Sequence, residues 1–91
     1  MRVPFLLMGG ESAEVFDIGS EPMRDKVFVY RFCVERFAGC ELKIVRDRQP
    51  ARMIPADSRT RVVDVAVSSS LFVEAVGKGA VSGWYELVGA R

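Results

Sequence analysis

A chain of 91 residues, 49% hydrophobic and with a formal net charge of +1, can close one core and is too apolar for intrinsic disorder. The near-zero charge gives no global attraction toward nucleic acid or an anionic membrane. The absence of histidine removes the commonest general base, the usual serine and cysteine triads and most zinc sites.

Taken in chain order, Arg2 to Met8 is a short apolar stretch that predicts a strand, with Pro4 placing it at a sheet edge or at a strand start. Its apolar run, Val3 to Met8, is too short for a signal-peptide core or a membrane span. A cytoplasmic location with free thiols is therefore expected. Gly9-Gly10 end the stretch. Glu11 to Ile18 predicts a single helical turn or a loop with Ala13, Val15 and Phe16 turned inward. Gly19, Ser20 and Pro22 then break the chain again.

Lys26 to Phe37 is almost wholly β-branched and aromatic, the composition of a strand. With Glu41 to Arg48 it predicts a long hairpin over residues 26–48, turning through Ala38-Gly39-Cys40. A three-residue loop places Glu35 opposite Lys43 and Arg31 opposite Asp47. One face then carries Phe28, Tyr30, Phe32, Val34, Leu42 and Ile44. The other face mixes Val27, Val29 and Cys33 with charge, too apolar for open water and too charged for a deep core. Cys33 and Cys40 fall too far apart in this register for a disulfide.

Gln49 to Thr60, with Pro50, Pro55 and Asp57-Ser58, predicts a loop. Arg61 to Ser68 predicts a strand with Val63, Val65 and Val67 on one side and Val62, Asp64 and Ala66 on the other. Residues 69–77 fit a short helix, but Gly77-Lys78-Gly79-Ala80 ahead of an apolar run favours a second hairpin. Trp84 and Tyr85 then point to opposite faces, one into the core and the other toward a contact surface.

Charge is unevenly placed. Residues 1–25 carry two arginines against five carboxylates, whereas residues 43–61 carry six basic residues against two acidic ones. Arg46, Arg48, Arg52, Arg59 and Arg61 form the best candidate for binding an anion or a partner's carboxylates, because the guanidinium fork suits both. Glu11/Glu14 and Glu21/Asp25 lie in polar sequence where carboxylates stay solvated, and Asp64 is expected to face solvent or to pair with an arginine of the basic segment. Arg48 to Arg52 spells the R-x-x-x-R element of cyclic-dinucleotide-binding PilZ domains, but the second element of that family is missing, so no membership follows. The glycines at 77, 79 and 83 do not make a dinucleotide fingerprint.

The expected fold over residues 1–91 is one all-β domain, a small antiparallel sandwich or partly open barrel of five to six strands; the alternative is α+β with one short helix near 69–77. The expected function is non-enzymatic protein binding as an adaptor, inhibitor or assembly subunit, with self-association through a sheet face. Val27, Val29, Arg31, Trp84 and Tyr85 are the candidate interface residues, the partner is a protein or the chain's own copy, and no cofactor, metal or membrane is implied. Such a chain suits a phage protein as well as a bacterial accessory protein. The alternative function is a nucleic-acid or anion-binding module using segment 43–61.

Overall fold

The computed structural model describes residues 1–18, 26–49, 52–56 and 59–90. Six strands follow in order: β1 (Val3–Met8), β2 (Ser12–Asp17), β3 (Phe28–Arg46), β4 (Arg52–Ile54), β5 (Val62–Val67) and β6 (Ser70–Ala90). All pair antiparallel in one sheet, and no helix occurs among the described residues. The fold is all-β.

Two long strands make the frame. β3, of 19 residues, and β6, of 21, run side by side from Phe28 opposite Ala90 to Arg46 opposite Leu71. On the free edge of β3, β5 pairs with Phe28–Cys33 and β4 with Leu42–Ile44. On the free edge of β6, β1 pairs with residues 80–85 and β2 with residues 70–74. The sheet thus has two four-stranded halves, β1-β6-β3-β5 and β2-β6-β3-β4. Their inner faces meet, and the ring of Phe16 on β2 lies 5.0 Å from Phe28 and 6.1 Å from Tyr30 on the opposite half. Phe32, Val34, Leu42, Ile44, Leu71, Val73 and Val81 are fully buried between them.

The long hairpin over 26–48 does not form, because β3 passes through Ala38-Gly39-Cys40 without reversing. Glu35 bulges from the register and Gly39, at φ +92°, shares Ala80 with Ala38 as partner, so the strand bends instead. β6 bends at the same level, which replaces the second hairpin at 77–80 and the helix at 69–77 by continuous strand. The bend needs backbone-to-backbone contact. A Cβ on Gly77 would run into the Gly39 carbonyl oxygen, and one on Gly79 into that of Ala38. Glycine on both strands therefore makes one shared bend rather than two separate turns.

Side-chain alternation survives this change of path. Phe28, Tyr30, Phe32, Val34, Leu42 and Ile44 all face the core, because both halves of β3 look into the same interior. The cross-strand partners differ: Arg31 faces Asp64 and Glu86, and Lys43 faces Glu74 and Met53. β2 is a strand rather than a helical turn, with a register shift between Glu14 and Phe16, and its Ala13, Val15 and Phe16 do pack against the core. β4 interrupts the loop expected over 49–60, where Leu42 and Ile44 supply pairing positions for Ile54 and Arg52. β5 alternates as expected, with Val63, Val65 and Val67 buried, and Pro4 lies on β1, an edge strand. The breaks at Gly19, Ser20 and Pro22, the Glu21/Asp25 pair, Pro50 and Asp57-Ser58 lie outside the described residues.

Candidate functional site

The five arginines of the basic segment do not gather into one patch. Arg46, at the end of β3, donates from Nη1 to the Ala66 carbonyl at 3.2 Å. Arg61, at the other end of β5, donates from Nη1 to the carbonyl of the bulged Glu35 at 2.9 Å, and its guanidinium lies 5.4 Å from the Phe37 ring centroid. Ala66 and Arg61 are five positions apart on extended chain, about 16 Å. Arg48 stands exposed in a turn, Arg59 is exposed ahead of β5, and Arg52 shares with Thr60 the lining of a 210 Å³ cavity between β4 and β5.

The turn holding Arg48 is a structural knot. Asp47 and Arg48 adopt φ of 50° and 58°, and the Gln49 N–H reaches the Arg46 carbonyl at 2.9 Å. The Asp47 carboxylate accepts the backbone N–H groups of Ser68, Ser69 and Ser70 at 3.1, 2.7 and 3.3 Å, together with the hydroxyls of Ser68 and Ser69. Burial alone raises its pKa. The hydrogen bonds from Ser69, Ser68 and Ser70 outweigh that and hold it below the usual carboxylate value.

A more open surface is the outer face of the β1-β6-β3-β5 half. Across it runs a row of four charges, Asp64 on β5, Arg31 on β3, Glu86 on β6 and Arg2 just ahead of β1. Arg31 Nε donates to Asp64 Oδ1 at 2.9 Å and Nη2 to Oδ2 at 3.1 Å, while Arg2 Nε lies 3.5 Å from Glu86 Oε2. The hydrogen bond from Arg31 holds the Asp64 carboxyl below its ordinary value. The partner of Asp64 is thus Arg31 on the adjacent strand, not an arginine of the basic segment. Register fixes the next row as Val62, Cys33, Trp84 and Pro4, with the Arg2 guanidinium 4.0 Å from the Trp84 ring centroid. Beyond Pro4 on β1, Leu6 and Met8 also project outward, 68% and 53% exposed; Val62 is 49% exposed.

Of the predicted interface residues, Val29, Arg31 and Trp84 share this outer face by register. Tyr85 does not: it faces inward, its ring 5.8 Å from Phe32 and 6.4 Å from Tyr30, because alternation sends it opposite to Trp84. Val27 flanks β3 and lines a separate 180 Å³ cavity with Arg46, Asp47 and Ser68. Leu6, Met8, Val62, Glu86 and Arg2 were not singled out from sequence. The available signal was β1 itself, whose two faces are both apolar.

Both cysteines are free thiols. Cys40 is buried at the bend, where its sulfur accepts the Gly79 N–H at 3.3 Å, and Cys33 is half-buried in the outer apolar row. Among the described residues no group of three or more potential ligands is placed to hold a metal ion, and no helix is long and apolar enough to cross a membrane. Comparison of the chain with protein-family models, curated proteins and solved structures finds no match.

Proposed function

We propose that the chain is a small non-catalytic protein-binding domain, an adaptor, inhibitor or assembly subunit, that docks through the outer face of β1-β6-β3-β5. The observation that carries this reading is the exposure of Leu6, Met8 and Val62 on one face, contiguous with Trp84 and Cys33. Contiguous apolar surface of this kind marks contact sites, and half-exposed tryptophan is a favoured anchor. The outer face of the other half exposes less apolar surface, with Met53 40% and Val76 37% exposed against 68% for Leu6 and 53% for Met8. The arginines carry no second reading: Arg46 and Arg61 are engaged with backbone carbonyls at opposite ends of β5.

Photo-crosslinking in the native host tests the reading. A photoreactive residue at position 62 is expected to give protein adducts, and one at position 14 is not. Equal labelling from both positions, or none from position 62, refutes it.

A further inference from the structure

We infer that the partner of this face is a second copy of the chain, apposed about a twofold axis that runs along the strands above the β3–β6 boundary. The inference rests on the docking reading above and names its partner. It follows from the order of charges across the face: Asp64 on β5, Arg31 on β3, Glu86 on β6 and Arg2 just ahead of β1.

A twofold axis of this orientation lays the row on its own reverse. Four alternating signs read backwards are inverted at every place, so each charge meets its opposite. Asp64 faces Arg2 of the second copy, and Arg31 faces its Glu86. A row of three or five alternating charges would set like against like. The neighbouring row, Val62-Cys33-Trp84-Pro4, is apolar in its own side chains and compatible with its reverse: Val62 falls on Pro4, and Cys33 on Trp84 beside the Arg2 guanidinium that lies 4.0 Å from the Trp84 ring. Charges of this arrangement fix register and exclude wrong partners, while the apolar side chains beside them supply the burial.

The geometry tolerates the normal sheet twist. Aligned sheets cross at about 30°, and the outer charges lie about 7 Å from the axis, so that crossing displaces facing members by about 4 Å, within the reach of an arginine side chain. Both ion pairs already exist within each copy, so apposition extends two neutralised pairs into a charge network and does not bury bare ions. β3 and β6 cross the whole contact, whereas β1 and β5 flank it at staggered levels and overlap only where Pro4 and Val62 lie level with Trp84 and Cys33, so the contact is smaller than a standard interface and a weak, reversible dimer follows.

The experiment is sedimentation equilibrium of the full chain and of two charge-reversed variants, Asp64→Lys and Arg2→Glu, each checked for its β-sheet circular dichroism. Wild type is expected to reach twice the chain mass as concentration rises. Each variant alone sets like charges opposite one another and is expected to dimerise roughly tenfold more weakly. Mixed in equal amounts, the two variants restore opposite signs at the 2–64 contacts, and dimerisation is expected to recover. A wild type that stays monomeric at the highest attainable concentration overturns the inference, as does a mixture no tighter than either variant alone. The crosslink at position 62 separates the two levels. Adducts of another mass with a monomeric wild type overturn self-pairing and leave the docking face standing. No adduct of any mass removes the docking face itself.

Discussion

Asp47 Oδ1 accepts both the backbone amide of Ser69, at 2.7 Å, and its hydroxyl, at 3.0 Å. The contact ties two corners of the fold. Asp47 follows the last residue of β3, and Ser68-Ser69 carry the chain from β5 in one half of the sheet to β6 in the other. The backbone reinforces it, with the Asp47 N–H donating to the Ser70 carbonyl at 2.8 Å. Hydrogen bonds to a charged acceptor contribute more than neutral ones, so Asp47→Ala is expected to cost about 2–3 kcal/mol in urea unfolding. For a chain of this length, that is a fall of roughly 10–20 °C in Tm.

The same group makes stability depend on acid. Its folded pKa is lowered, so its contribution is fully present above the unfolded value, about 3.9, and is lost as pH falls through the folded one. Asp64 shifts in the same direction through its hydrogen bond with Arg31. The stability difference between wild type and Asp47→Asn is therefore expected to be flat from about pH 7 to pH 5 and to narrow below about pH 4. Denaturant titrations at each pH measure it; a gap that widens on acidification contradicts the assignment.

The bend sets a steeper test. Gly79 donates its N–H to Cys40, receives that of Gly9 on its carbonyl at 2.8 Å, and has the Ala38 carbonyl where a Cβ would go. Gly79→Ala is expected to cost more than about 3 kcal/mol, since the obstacle is backbone and cannot rotate aside. Gly10 is the control: nothing lies within 4 Å of its Cβ position, but its φ is +89°. Gly10→Ala is expected to cost only about 1 kcal/mol. Thermal midpoints of the two variants should separate widely, and equal losses would mean that the bend is not packed as described.

The inward face of β3, the alternation of Val63, Val65 and Val67, and the edge position of Pro4 were legible in the sequence, because burial writes a period-two pattern whatever path the strand takes. The path itself was not. Val34 and Leu42 share a core in a hairpin as they do in a bent strand, and Gly39 serves either. The decision lay with Gly77 and Gly79, some forty residues away, whose missing side chains let β6 bend against β3. The charge row was hidden for the same reason. Arg31 looked complementary to Asp47 only while the strand was folded back on itself, and its true neighbours, Asp64 and Glu86, arrive on two other strands. β4 was missed because three residues carry too little pattern to stand out from a loop.

Arg61 allows the basic segment to be tested as structure. Its guanidinium serves the carbonyl of the Glu35 bulge and stacks near Phe37, while its own carbonyl accepts the Val34 N–H at 2.8 Å. The backbone contact persists in any variant, so Arg61→Ala isolates the side chain. It is expected to cost about 1–2 kcal/mol, a fall of several degrees in Tm. Arg61→Lys should restore only part of this, because an ammonium lacks the flat fork that reaches a carbonyl and an aromatic face together. Titration of a labelled oligonucleotide at low salt completes the comparison. A clamp shifts Tm and leaves that titration unchanged, whereas an anion contact leaves Tm unchanged and reduces the salt slope by about one. The bond to Glu35 lies on the side of the clamp, since it uses the guanidinium to satisfy a carbonyl at the point where β3 departs from its register.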